Sequence, residues 1–189
     1  MKKLLTLALA SAFAFPIFAQ EEEGAPETAP IPQNERKPED SAMWPAPIAF
    51  GQMPRSADVI GLRITFPYST SQGSVTGVDL GLWGRSFYFE GLQVNLLRND
   101  VIDRAAGIQV GCYNSIGTGE MIGAQVGLWN EAMSLRGVQA GLINVVGQGE
   151  GFQIGLINRA EMLHGYQIGL INIIREAELQ FCPIVNIGF

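Results

Sequence analysis

The stretch Gly151-Phe-Gln-Ile-Gly-Leu-Ile-Asn158 is followed, six residues later, by Gly165-Tyr-Gln-Ile-Gly-Leu-Ile-Asn172. Upstream the same unit reads Gly137-Val-Gln-Ala-Gly-Leu-Ile-Asn144 and Gly123-Ala-Gln-Val-Gly-Leu-Trp-Asn130. Earlier copies begin at Gly107, Gly91 and Gly77, and a degenerate one at Gly61. The window from Leu179 ends in Asn186, so it reads as a ninth, closing copy. Successive starts are separated by 14 or 16 residues. A fixed period of this kind marks stacked supersecondary units rather than a single irregular domain. Within the unit, positions two, four and six are apolar, and positions one, three and five are Gly, Gln and Gly. This period of two belongs to a β-strand and not to a helix.

Outside the motif, the linking residues keep one apolar residue two before the next copy: Val59, Val75, Phe89, Ala105, Met121, Leu135, Leu163 and Ala177, with Gly149 the exception. That residue shares the parity of the glycines and glutamine. The inward-facing register must therefore switch near the first Gly, as at a corner.

Two all-β folds accommodate a strand repeated in this way. In the favoured one, a β-solenoid of about nine coils, successive coils stack in parallel about 4.8 Å apart and like residues fall on like. Gln93, Gln109, Gln125, Gln139, Gln153 and Gln167 then form one ladder, and Asn114, Asn130, Asn144, Asn158, Asn172 and Asn186 a second one at the corners. The alternative is an antiparallel meander closed as an outer-membrane barrel, with positions two, four and six toward lipid and Gly, Gln and Gly toward the interior. The alternating C-terminus Phe181, Val185, Ile187, Phe189 favours that alternative. Equal strands and equal short turns, which generate little of the stagger needed for closure, disfavour it. Cys112 and Cys182 lie five coils apart in the solenoid, roughly 24 Å, too far for a disulfide.

Toward the N-terminus, Lys2 and Lys3 precede an apolar run from Leu4 to Phe15 and a small-residue exit at Ala19, the pattern of a cleaved secretory signal peptide over residues 1–19. Residues 20–42 are rich in Glu and Pro, with few large apolar groups, and read as a disordered acidic spacer. Residues 43–189 form the single repeat domain. The location implied is exported: periplasm, outer membrane or cell surface. The whole chain has 189 residues, 47% of them apolar and 16% charged, with 23 glycines and a net charge of −6. An acidic balance is the wrong sign for a phosphate backbone, so no nucleic-acid partner is expected. Membrane association stays open.

Residues for chemistry are scarce. His164 is the single histidine and sits in a linker. With two distant cysteines it builds no zinc site, and the usual nucleophile and base pairings have no other histidine to use. Asp100 and Asp103 read as solvated turn acids, and Asp79, which takes the Gln position of its copy, as a variant at one end of the ladder. The Gly-x-Gln-x-Gly unit lacks the Lys and the following helix of a phosphate loop. Trp83, Tyr113 and Trp129 share position seven, a stripe suited to packing, to a sugar ring or to a membrane interface. No catalytic residue, metal site or cofactor is implied, and no partner is specified.

The repeats, with the opening Gly61-Leu-Arg-Ile-Thr-Phe-Pro-Tyr68 and the closing Phe181-Cys-Pro-Ile-Val-Asn186, resemble the uncharacterised bacterial surface repeat proteins built of Gly-x-Gln-x-Gly-Leu-x-Asn units. The resemblance covers Val59 to Phe189 and implies export and a surface or envelope location, with no catalytic residues to carry over. The copies at Gly61 and Gly77 depart from it at the Asn position. The expectation is a non-enzymatic envelope or surface protein with a structural, adhesion or binding-scaffold role. The alternative is an integral barrel with a structural or transport role.

Overall fold

A computed structural model of the chain describes residues 46–51, 58–70 and 73–189. The expected signal peptide, the acidic spacer and residues 43–45 of the expected repeat domain lie outside the described residues. The described residues form strands joined by turns: β1 (Ala46–Phe50), β2 (Val59–Thr65), β3 (Ser69–Thr70), β4 (Ser74–Ile174) and β5 (Phe181–Gly188). The 101 residues of β4 would stretch over roughly 300 Å if straight. Instead the strand winds, and each turn lies on the one before.

The register follows the sequence period. β2 runs parallel to the start of β4 with Gly61 opposite Gly77 and Arg63 opposite Asp79, and β1 runs parallel to β2 with Ile48 opposite Leu62. Further along, a Cβ on Gly137 would meet the carbonyl of Gly123, and one on Gly151 the carbonyl of Gly137. Like residues therefore stack on like in parallel, and the protein is a β-solenoid. The barrel meander, which requires neighbouring repeats to run antiparallel, is not formed. The 14- and 16-residue repeats stack alike, because Gly123 sits on Gly107 as Gly137 sits on Gly123.

The first glycine of each copy is required twice over. Its φ lies between +125° at Gly123 and +150° at Gly165, a region closed to residues with a Cβ. At Gly137 that Cβ would also stand 1.9 Å from the carbonyl oxygen of Gly123.

The inward register does not switch at this glycine, contrary to expectation. Leu163 and Gln167 are both fully buried, while Tyr166, Ile168 and Leu170 are exposed. The linker apolar residue and the glutamine thus share one inward face, and the motif's apolar positions point outward. The parity changes later in the coil, where Leu156 is exposed but Asn158 and Ala160 are buried, and again before Leu163. Apart from Ala49 on β1, the apolar core consists of two columns. One is the expected linker set from Val59 through Leu163; the other lies two residues past each inward Asn: Val101, Ile116, Ala132, Val146, Ala160 and Ile174.

The ninth copy is also corrected. β5 does not add a parallel coil but turns back antiparallel along the last one, with Gly165 opposite Gly188 and Gln167 opposite Asn186. Leu179 stands where the corner glycine would be, so the positive-φ bend has no residue to make it. β5 covers the open edge of the last coil. Pro183, which has no N–H, and Ile184 at φ 74° interrupt β5 in turn, in the manner of strands that resist further pairing.

Candidate functional site

Inside the coil, the glutamines and asparagines form two hydrogen-bonded ladders. Gln109 Nε2 donates to Gln93 Oε1 at 2.9 Å, and Gln125, Gln139, Gln153 and Gln167 each donate to the glutamine one coil earlier at 2.7–2.9 Å. In Gln125, Gln139, Gln153 and Gln167 the amide nitrogen also reaches a main-chain carbonyl six residues on, as from Gln139 to Val145. The asparagines run the opposite way. Asn114, Asn130, Asn144 and Asn158 each donate to the asparagine one coil later at 2.7–2.8 Å and also to a carbonyl of that coil, as from Asn144 to Ile154. Asn172 ends the series on the Cys182 carbonyl. All these side chains are fully buried, so each bond replaces lost water.

Asn186 stands apart from the asparagine ladder: it lies on β5 opposite Gln167, and its Oδ1 accepts from the Ile187 amide. The structure adds two members that the repeat pattern missed, Asn95 and Asn99, with Asn95 donating to Asn99 and Asn99 to Asn114. Asn95 fills a Gly position and Asn99 lies one residue past the Asn position, so a strict eight-residue template passes over both.

The ladders meet at Asp79. Its Oδ2 accepts from Arg63 Nη2 at 2.6 Å, Gln93 Nε2 at 2.8 Å and Asn95 Nδ2 at 3.1 Å. Gly84 leaves room for this cluster, because a Cβ there would stand 2.6 Å from the carboxylate. That is why the Gly77 copy lacks an asparagine at position eight. The interior is thus occupied by structural hydrogen bonding.

The outer surface is of different character. Positions two, four and six of the copies from Gly61 to Gly165 carry Leu, Val, Ile, Phe, Tyr, Ala and one Cys, with no charged side chain among them. Leu142, Phe152, Ile154, Leu156 and Ile168 are each 44–49% exposed. On a flat sheet such values mean that the sides of each residue touch its neighbours and its top meets solvent. Phe152 and Tyr166 stack across adjacent coils at 5.5 Å. Both ends extend the face: Ile48 and Phe50 are paired with Leu62 and Ile64, and Val185 and Ile187 with Ile168 and Tyr166.

One margin of this face is aromatic. Tyr113 and Trp129 lie 6.2 Å apart, and the Arg98 guanidinium sits 4.8 Å from the Tyr113 ring and 5.8 Å from that of Trp83. Tyr113 donates to Glu131 at 2.6 Å. Its phenol is pushed up to about 12, first by burial and then by Glu131, against smaller opposing effects of Ser115 and Arg98.

The linker side carries the charges. Arg104, Glu120, Arg136 and Glu150 form a line of ion pairs at 3.2–3.7 Å, with exposed His164 beside them in a shallow depression. Asp100 pairs with Arg85 and Arg98, each at 3.5 Å. Cys112 and Cys182 are free thiols. Among the described residues, no three His, Cys, Asp or Glu side chains gather as a metal site.

A scan against protein-family models gives no match, and neither the curated proteins nor the solved structures give a significant one. The geometry itself offers a hydrogen-bonded polar interior and a broad apolar exterior.

Proposed function

We infer that the chain is an exported, non-enzymatic envelope or surface protein whose solenoid serves as a binding scaffold, with its outward apolar face as the contact surface. One observation carries this reading: three columns of large apolar side chains stand outside a fold that has room for only two apolar columns within. Contiguous apolar patches beyond a few hundred Å² are rare on soluble monomers and mark sites of contact. The polar side chains best suited to chemistry are spent on neighbouring coils, which favours a scaffold over an enzyme. The N-terminal pattern of residues 1–19 supports export.

Fractionation of a bacterium expressing the full chain, with N-terminal sequencing of the product, tests this. The expected product begins at Gln20, lies outside the cytoplasm and leaves the envelope with carbonate or urea. A full-length cytoplasmic product, or a carbonate-resistant species with heat-modifiable gel mobility, would overturn it.

A further inference from the structure

We propose that the apolar face is covered by a second copy of the same chain, packed sheet against sheet as a symmetric dimer. The proposal rests on the reading of that face as a contact surface and specifies its occupant.

Size is the first argument. The face runs from Ile48 and Phe50 on β1, across the copies from Gly61 to Gly165, to Val185 and Ile187 on β5. At about 4.8 Å between strands and 3.3 Å per residue along them, it spans on the order of 700 Å². A stable interface takes about 800 Å² from each partner. The match is close, and a homodimer interface is more apolar than other interfaces, as this face is.

Shape is the second. The face is hydrogen-bonded, with side chains in straight columns, which is the form of the inner layer of a β-sandwich. Two such sheets pack about 10 Å apart with their side chains interdigitated. The smallest residues, Ala124 and Ala140, lie within three coils of the largest, Phe152 and Tyr166. A twofold operation sets the bulges of one copy toward the hollows of the other, as a self-complementary patch requires.

Charge separates this partner from a lipid surface. Elements that lie on bilayers carry Lys and Arg at their margins, free to meet anionic headgroups. From residue 46 onward this chain has no lysine, eight arginines and eleven acidic residues. Arg63, Arg85, Arg98, Arg104, Arg136, Arg159 and Arg175 are all engaged with carboxylates of the same chain. A margin of that composition is repelled by an anionic membrane but carries no penalty against a second apolar sheet.

Sedimentation equilibrium of the processed chain, with Ile154→Lys and Leu128→Glu variants, tests the proposal. Both substitutions lie outside the coil, so far-UV circular dichroism should keep the parent's strand signal. The parent is expected at twice the chain mass, and each variant at the chain mass. In a Cys182→Ser background, Cys112, which lies in the face, is expected to react with a maleimide more slowly in the parent than in Ile154→Lys. A parent that stays at the chain mass across the concentration series overturns the dimer. If that monomer floats with phosphatidylcholine vesicles and Ile154→Lys does not, the face is a contact surface for lipid and only its occupant was misassigned. If neither floats, the reading of the face falls as well. A dimer that persists in both folded variants places the interface elsewhere and overturns the proposal.

Discussion

Asp79 can only accept, whereas each glutamine of the ladder both donates and accepts. A chain of amides that all donate toward the N-terminus needs a pure acceptor at that end, and the carboxylate supplies it; Arg63, buried beneath, supplies the opposing charge at 2.6 Å. Arg63 and Asp79 both occupy the Gln position of their copies, which gives the pair a specific test. Asp79→Gln alone strands a buried guanidinium and is expected to cost about 3–5 kcal/mol in chemical denaturation. Arg63→Gln with Asp79→Gln extends the ladder by two rungs, so the double variant should lose clearly less than the sum of the singles. Strict additivity would show that the pair does not end the ladder. The corner glycine is equally specific. Gly137→Ala meets both a φ of +143° and the Gly123 carbonyl, and a loss of about 3 kcal/mol or more is expected. At Gly149 a new Cβ would meet only the ends of Leu163 and Val146, so Gly149→Ala should stay within about 1 kcal/mol in the same measurement. Tyr113 predicts a pH effect. Its phenol titrates near 12 when folded and near 10 when unfolded. The folded state holds the proton more tightly, so its contribution is complete below the unfolded value and is lost as pH rises through about 12. Denaturation midpoints of the parent should fall over that window relative to those of Tyr113→Phe, and parallel curves would refute the assignment.

At the scale of the element, β5 shows how an open solenoid ends. It donates to and accepts from the last coil between Gly165 and Ile173, groups that would otherwise form a free edge. A chain ending at Arg175 should therefore associate edge to edge and scatter light at concentrations where the full chain does not; equal scattering would show that β5 protects nothing. Reading β5 as a coil from sequence rested on Asn186 falling in phase. The contrary signals were Leu179 in place of the corner glycine and Pro183 in place of the second glycine. The period, the parallel stacking and the glutamine ladder were legible because a solenoid repeats its neighbours' environment and hence its residue types. The direction of the apolar positions was not, because alternation alone says that two faces differ and not which is inside. Here the amides could be buried only because each coil satisfies the next. The clue was the shared parity of Gln167 and Leu163: one inward face without a switch is the simpler chain path, and it leaves the motif's leucines and isoleucines outside.

At the scale of the whole repeat domain, each coil contacts its neighbours through the same set of bonds, so the fold should behave as a one-dimensional array whose units can be removed in register. Deleting residues 137–150 takes out one period and joins Arg136 to Gly151. Gly151 then stacks on Gly123, Gln153 donates to Gln125, and Asn130 donates to Asn158. Both ladders keep their polarity and their ends at Asp79 and Cys182. The shortened chain is expected to fold cooperatively with the parent's strand signal and a smaller denaturant m-value, since m follows the surface exposed on unfolding. Deleting residues 138–150 instead removes one residue fewer. Downstream pairing must then either slip by one, which turns Gln153 outward and Phe152 inward, or take up the odd residue as a bulge in the coil that carries the junction. That variant should be clearly less stable than the in-register deletion, although it keeps more of the chain. If the two deletions proved equally stable, the ladders would not be what sets the register, and burial of the two apolar columns alone would have to account for the fold.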